Sequence, residues 1–547
     1  MSATPISAPE QSGQLDVVIV GAGFAGLYGL HRLREIGFSV RVIEAGDGVG
    51  GTWYWNRYPG ARCDIESFEY SYQFSEELQQ EWVWKERYAA QPEILAYLNH
   101  VADRFDLRRD IQFETRVESA HFDEAASRWR IRTDAAETVE AQFCIMATGC
   151  LSSANTPHFD GMDSFLGQTF HTGRWPHEGV DFSGQSVGII GTGSSGIQSI
   201  PLIAEEAAHL TVFQRTPNYS VPAQNHPLAE DEIARVKAEY PAFRARNKEK
   251  AFGAFADAVE SGETALGIEE AEREAAYEAA WANGGLTFLN AFNDLLFDAE
   301  ANDTAAAFAR RKIEAIVQNP DLAEMLTPKQ TLGCKRLCAD TGYFETFNRE
   351  NVELVDVNED SIRRIVPTGL STEGREFELD AIIFATGFDA MTGALNNIDI
   401  RGRAGLALRE KWAEGPRTYL GLMTAGFPNL FLVTGPGSPS VLSNMVPSIE
   451  QHIEWISDCV AHLRATGRQA IEAETSAEDE WVAHVNEVAE MTLFPGCNSW
   501  YLGANVPGKP RVFMPYIGFP EYVEKCNEVV DGDYFGFHRS VENDGAS

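Results

Sequence analysis

LDVVIVGAGFAG at residues 15–26 and SVGIIGTGSSG at residues 186–196 are the two stretches that decide the fold. Each opens on a short apolar run of the kind that suits a strand buried on both faces of a parallel sheet. Each then runs directly into a GxGxxG turn, carried by Gly21, Gly23 and Gly26 in the first and by Gly191, Gly193 and Gly196 in the second. After the first turn, Leu27, Leu30 and Leu33 recur at helical spacing up to Gly37, and residues 39–44 (SVRVIE) read as a second strand ending in an acid. After the second turn, a helix is expected over 197–206 and a strand over 210–214 (LTVFQ). A strand before GxGxxG and a helix after it is the context in which the motif binds a dinucleotide. The first glycine makes the tight turn, the second lets backbone approach a pyrophosphate, and the third packs helix on strand. The helix N-terminus then offers unpaired N–H groups to the anion. The expected fold class is α/β, with two Rossmann-like dinucleotide-binding domains.

The residues at the end of each second strand separate the two ligands. In the first unit Glu44 stands there, a carboxylate suited to the hydroxyls of an adenosine ribose. The same offset from Gly191 falls on Gln214, followed by Arg215 and Thr216. No acid repels a 2′-phosphate there and an arginine is ready to pair with one, so the second unit reads as an NADP site. ATG at 147–149 and again at 385–387 ends an apolar strand each time. In two-dinucleotide flavoproteins such a triplet marks where the chain crosses between domains, which fits FAD in the first unit. The expected order is an FAD-binding domain (1–150), the first part of an NADP-binding domain (151–222), a helical insertion (223–334), the second part of the NADP domain (335–388) and the return to the FAD domain (389–547). The insertion is rich in Ala and Glu, and Phe252, Phe255, Phe288, Phe292, Phe297 and Phe308 are expected to form its core.

Composition narrows the partners. The chain has 547 residues, 44% of them hydrophobic, and a net charge of −37. A surface so acidic repels phosphate backbones and anionic lipid, so neither nucleic acid nor membrane is expected as a partner. An anionic small ligand must instead meet a local cluster of Arg and Lys. No apolar run approaches the roughly 18 residues of a membrane span. The polar first residues read as a short disordered leader without the marks of a secretory signal, so a cytoplasmic protein is expected. The eight cysteines (63, 144, 150, 334, 338, 459, 497 and 526) are irregularly spaced, without a metal-type CxxC, and are expected to be reduced thiols; no metal site is expected. A disulfide reductase would need a cysteine pair soon after the first βαβ unit, and only Cys63 lies there.

Two further stretches carry a family resemblance. FLGQTFHTGRWP (165–176), with Phe165, Gly167, His171 and Trp175, fits FxGxxxHxxxW(P/D). GTWYWNRYPGARCD (51–64), with Gly51, Thr52, Trp53 and Asp64, fits GxWxxxx(F/Y)PGxxxD. From Asp16 to about Pro515 the chain resembles the type I Baeyer–Villiger monooxygenases. Flavin monooxygenases that oxygenate nitrogen or sulfur share the glycine loops and remain the alternative, but Trp175 and the 53–64 stretch favour the Baeyer–Villiger branch. The resemblance implies non-covalent FAD, NADPH and O2, a C4a-peroxyflavin, and conversion of a cyclic, aryl or aliphatic ketone to a lactone or ester.

It also implies roles. The oxidant must stay anionic, so a permanent cation is needed beside it, and Arg336 matches that position. Asp64 would hold Arg336 through charge-assisted hydrogen bonds. Gly51, Thr52 and Trp53 would bind cofactor, as would Asp64 and Arg336. Lys335, Arg215 and Thr216 would hold the 2′-phosphate, and Trp500 would sit on a mobile segment that folds over the nicotinamide. His171 would tune motion of the NADP domain and abstract no proton. Ile65, Cys150, Ser440, Val441, Leu442 and Met445 would line the ketone site. Ordinary core packing competes with function for Trp500 and for each lining residue. A monomer or weak homo-oligomer is expected.

Overall fold

The computed structural model describes residues 14–258 and 262–540. The leader lies largely outside the described residues. Both nucleotide units form as their periodicity requires. Strand β1 (Leu15–Val20), helix α1 (Phe24–Glu35), strand β2 (Val40–Ile43) and strand β3 (Thr138–Met146) build the first. β1 runs parallel to both neighbours, with Val17 opposite Val40 on one side and Phe143 on the other. Val17, Val18 and Ile19 are fully buried, so both faces of β1 are covered, as its unbroken apolar run demands.

The second unit repeats this design in a separate five-stranded sheet, parallel throughout. Its strands are β4 (Gln168–His171), β5 (Ser186–Ile190), β6 (His209–Gln214), β7 (Val352–Asp356) and β8 (Ala381–Phe384), in the spatial order β7-β6-β5-β8-β4. Helix α2 (Ser194–Glu206) follows β5. The chain then returns to the first sheet, first with Asp399–Arg401 beside Val117–Asp123 and then with β9 (Leu430–Leu432), parallel to β3 with Leu430 opposite Cys144. The long helix α3 (Met445–Thr466) packs on α1, where Gly29 leaves room for Ile19 and Ile453 to close in.

The third glycine of each loop has a measurable reason. A Cβ on Gly26 would lie 1.8 Å from the Gly21 carbonyl oxygen, and one on Gly196 would lie 2.3 Å from that of Gly191. The middle glycine of the second loop is different: a Cβ on Gly193 would meet nothing within 4 Å. Its space opens onto the cavity described below.

Between the sheet-forming segments lie helices Glu230–Lys248, Glu270–Asn283, Ala299–Ile316 and Pro320–Leu326. Phe288, Phe292 and Phe308 pack around Tyr277 as the core of this region. The other three expected core residues do not join it. Phe255, with Phe252 against it, packs into the core of the first sheet, and Phe297 is 54% exposed. Composition marks a helical region but does not say which face each aromatic takes. No helix among the described residues is long and apolar enough to cross a membrane.

The glycine contacts make a paired test. Gly26→Ala forces backbone apart and is expected to destabilise the fold by about 1–3 kcal/mol. Gly193→Ala enters open space and is expected to stay within about 0.5 kcal/mol of the parent. Denaturant curves of the two variants measure this, and equal losses would contradict the packing role given to the third glycine.

Candidate active site

The loops of both units open into one cavity of 1310 Å³. Gly23 and Gly51 line it from the first unit, Gly191 and Gly193 from the second, and the crossings at Ala147–Gly149 and Ala385–Gly387 complete the wall. The N-caps of α1 and α2 are Gly23 and Gly193, and neither helix has a side-chain cap. Their first-turn N–H groups are therefore left to a ligand. The charged lining residues are Arg62, Arg215, Lys335, Arg336 and Arg511, against Asp64 as the one carboxylate. Five cations gathered in a chain of net charge −37 form the local cluster that an anionic ligand requires.

Arg336 and Asp64 meet as expected. The guanidinium donates from Nε to Asp64 Oδ2 at 2.8 Å and from Nη2 to Oδ1 at 2.7 Å, a bidentate pair. Nη1 donates to the Val441 carbonyl at 3.0 Å, and Asn218 Nδ2 holds the Arg336 carbonyl at 3.1 Å. The side chains are 25% and 19% exposed, and both line the cavity. Burial works against the charge of Arg336, but Asp64 outweighs it and holds the guanidinium pKa well above its ordinary value. Beside it, burial pushes the Tyr501 phenol up to about 12, while the charge of Arg336 pulls the other way.

Arg215 and Lys335 line the cavity together with Thr216, whose carbonyl accepts a hydrogen bond from Thr192 Oγ1 at 3.1 Å. Neither cation makes an ion pair with a described residue within 4.0 Å. Burial and the neighbouring charge of Arg215 lower the pKa of Lys335. Arg215 is exposed and Lys335 half-buried, and two neighbouring cations without a carboxylate partner suit an anion.

Thr52, Trp53, Ile65, Cys150, Val441, Met445 and Trp500 also line the cavity. Ser440 and Leu442 do not. They flank Val441 on a single 3-10 turn, which presents one side chain inward and turns its neighbours away. Ser440 is fully buried with its Oγ on the Thr434 carbonyl, and Leu442 packs into a core with Met391 and Phe513. Glu44 is also off the wall. Its oxygens accept from the Ala22 N–H at 2.7 Å and the Gly46 N–H at 2.8 Å, so the acid braces the backbone of the glycine loop. Burial raises its pKa against these bonds. Gly21, Gly26 and Gly196 stand behind the wall as packing positions.

The 165–176 stretch sits outside the cavity. A Cβ on Gly167 would lie 2.3 Å from the Asp380 carbonyl oxygen and 2.5 Å from the Phe165 ring, so this glycine seats Phe165 beside the start of β8. Trp175 is buried against Phe170 and Phe182. His171 Nδ1 accepts from the Gly173 N–H at 2.9 Å, and Nε2 faces the Asn155 carbonyl at 3.4 Å. Burial lowers its pKa, so the ring is a neutral connector between β4 and the chain crossing.

Several lining residues carry no family signature that isolates them. Arg62 pairs with Glu86 and with the Tyr88 carbonyl while facing the cavity. Ser499 Oγ and Asn505 Oδ1 are buried on the wall without a hydrogen-bond partner. Polar residues flanking Trp500 were the available signal for these two. One expectation about cysteines fails: Cys334 and Cys497, 163 residues apart, form a disulfide. Irregular spacing hides a pair that only the tertiary fold brings together. Cys63, Cys144, Cys150, Cys338, Cys459 and Cys526 are free and buried.

Residues 18–251 match the family model described as pyridine nucleotide-disulphide oxidoreductase. A Baeyer–Villiger monooxygenase of Pseudooceanicola batsensis is 46% identical over 526 residues, covering 95% of each chain. A phenazine N-monooxygenase of Lysobacter antibioticus is 42% identical over 529 residues, 95% of this chain and 96% of the other. The solved structure of an oxidised steroid monooxygenase bound to NADP superposes with a TM-score of 0.92 at 54% identity, covering 96% of this chain and 100% of that one. With the Arg336–Asp64 pair on the wall of a cavity shared by two dinucleotide loops, and relatives of this kind along nearly its whole length, the chain belongs to the Baeyer–Villiger monooxygenase family.

Proposed function

We propose that this chain uses FAD, NADPH and O2 to insert one oxygen atom into a ketone, giving an ester or lactone. The observation that carries this reading is the bidentate Arg336–Asp64 pair at a cavity served by both glycine loops. The cavity wall suits two dinucleotides. It offers two helix N-termini without side-chain caps, an excess of cations, and buried polar atoms at Ser499 and Asn505 that want partners. Gly21, Gly23 and Gly26, braced by Glu44, with Gly51, Thr52 and Trp53, are assigned to FAD. Gly191, Gly193, Gly196, Arg215, Thr216, Lys335 and Trp500 are assigned to NADPH. The two sheets support an FAD domain drawn from 1–150 and 389–547 and an NADP domain from 151–222 and 335–388, with 223–334 inserted. A cytoplasmic monomer or weak homo-oligomer fits the composition.

When bound, these groups supply hydride donation from nicotinamide and activation of O2 on reduced flavin. The chain supplies charge and position. Arg336 keeps its protons, because Asp64 fixes it as a cation. Three of its five N–H bonds are engaged by Asp64 and Val441, and Tyr501 also faces the guanidinium. A charge aimed in advance stabilises negative charge developing during oxygen transfer without reorganisation. Ile65, Val441 and Met445 give the ketone an apolar wall, with Cys150 beside them. His171 takes no proton from substrate, being buried away from the cavity.

Oxygenation of nitrogen or sulfur is the second reading, favoured by the Lysobacter relative. Labelled O2 distinguishes the two. Offered FAD, NADPH and a panel of cyclic, linear and aryl ketones with amines and sulfides, the protein is expected to form ester or lactone with one labelled oxygen. N-oxide or sulfoxide alone would replace this reading with the second.

The 2′-phosphate assignment gives a coenzyme test. Arg215→Ala is expected to weaken NADPH by about 1.5–3 kcal/mol, the range for a hydrogen bond to a charged group. NADH, which lacks the phosphate, should hardly change. Lys335 adds a pH dependence. Its lowered pKa means that rising pH removes its proton earlier than from an ordinary lysine, so KM for NADPH should climb on the alkaline side while KM for NADH stays level. Equal losses for both coenzymes in Arg215→Ala, or parallel pH profiles, would show that these cations do not bind the phosphate.

A further inference from the structure

We propose that the Cys334–Cys497 disulfide is a redox-operated latch that positions the Trp500 segment against the Lys335–Arg336 cations. Its activity arm rests on the oxygenase reading above; its structural arms do not. The link joins two walls of the cavity. Cys334 directly precedes Lys335 and Arg336, and Cys497 directly precedes Asn498, Ser499 and Trp500, all of which face the cavity. The Cα atoms are 5.9 Å apart although 163 residues separate them in the chain.

Few other bonds tie this segment directly to the Lys335–Arg336 stretch. Phe494–Gly496 and Trp500–Leu502 are single 3-10 turns, and the segment between and after them has no strand to pair with. Backbone bonds of residues 497–504 stay largely local: Ser499 N–H to the Cys497 carbonyl, Leu502 and Ala504 N–H to the Ser499 carbonyl, and Gly503 N–H to the Trp500 carbonyl. One outside backbone bond falls within the stretch, from the Met514 N–H to the Tyr501 carbonyl at 3.0 Å, and further anchors come later. Asn505 Nδ2 donates to the Phe388 carbonyl at 2.7 Å, and Lys509 Nζ pairs with Asp389 at 2.5 Å. Among the described residues, no backbone hydrogen bond joins 497–502 to 333–336. The disulfide and the contact of Tyr501 with Arg336 tie the near half of the segment to the Lys335–Arg336 wall, while the Met514 N–H on the Tyr501 carbonyl and the packing of Tyr501 against Phe494 and Phe513 hold it on its other side.

The bond is also reachable. Cys497 is half-buried between exposed Gly496 and exposed Asn498, whereas Cys334 and the six free cysteines are buried. A small dithiol can therefore attack at Cys497. Opening consumes two electrons and two protons, yielding two thiols while the dithiol becomes a disulfide. Closing by hydrogen peroxide returns them: two thiols and one peroxide give the disulfide and two waters. In a reducing compartment such a bond is transient. With the latch open, the Trp500 segment is held from one side only, water gains the cavity, and electrons from NADPH leave as hydrogen peroxide in place of product.

The test uses the full chain with bound FAD. After hydrogen peroxide treatment, alkylation and peptide mapping should find one linked Cys334–Cys497 peptide, which dithiothreitol opens. Opening should speed amide exchange in residues 497–504 by about tenfold, the response of a segment whose local opening has become easier. Hydrogen peroxide released per NADPH should rise about twofold, as gating of the site loosens. Cys497→Ser and Cys334→Ser should show the fast exchange without reductant and ignore dithiothreitol. Absence of the linked peptide under peroxide, or exchange rates that reduction leaves unchanged, would overturn the latch. A protein that consumes no NADPH in either state would count against the oxygenase reading, while mapping and exchange would still decide the latch.

Discussion

A guanidinium that must remain charged and in place inside a protein of net charge −37 needs partners to aim it, and Asp64 with the Val441 carbonyl does this for Arg336. The pair ties together three distant stretches of chain. Asp64 follows the first nucleotide unit, Arg336 lies just after the helical region, and Val441 lies just beyond β9 of the first sheet. Removing either charge would leave the other half-buried and unpaired, a situation that costs more than an intact pair contributes. The pair is thus better understood as a device for position than as a source of stability.

The rest of the cavity follows from the same electrostatic demand. An acidic surface favours solubility but opposes anionic ligands. The excess of Arg and Lys on the cavity wall answers this locally, and the two helix N-termini add partial positive charge without adding a side chain. Where cations are not paired within the protein, as with Arg215 and Lys335, their mutual repulsion favours an incoming phosphate. Where one is paired, as with Arg336, it is held for chemistry.

Much of this was legible in the sequence because the constraints are local. A positive φ at Gly21 and Gly191 and the tight approach of Gly26 and Gly196 to the first glycines are backbone facts that only glycine satisfies, so the motif announces itself. The apolar strands are buried on both faces and read as unbroken runs. Other features depend on contacts across the fold. The carboxylate of Glu44 turns to the Ala22 and Gly46 N–H groups, which its place at a strand end does not reveal. Ser440 and Leu442 sit on the same turn as Val441 yet face away from the cavity, because a 3-10 turn divides its three side chains among different directions. Phe252 and Phe255 belong to the core of the first sheet although composition assigns them to the insertion. The Cys334–Cys497 link spans 163 residues and leaves no trace in spacing.

The measurement that bears most directly on Arg336 as a fixed positive charge for oxygen transfer is ester formed per NADPH consumed in Arg336→Ala and Arg336→Lys, compared with the parent at matched FAD content and matched thermal stability. The expected result is near-complete loss of ester in the alanine variant, with electrons diverted to hydrogen peroxide. Rescue by lysine should be poor, since a point charge lacks the planar fork that serves Asp64, Val441 and the cavity together. An alanine variant that forms ester per NADPH at close to the parent yield would contradict the assignment of Arg336 and the mechanism built on it.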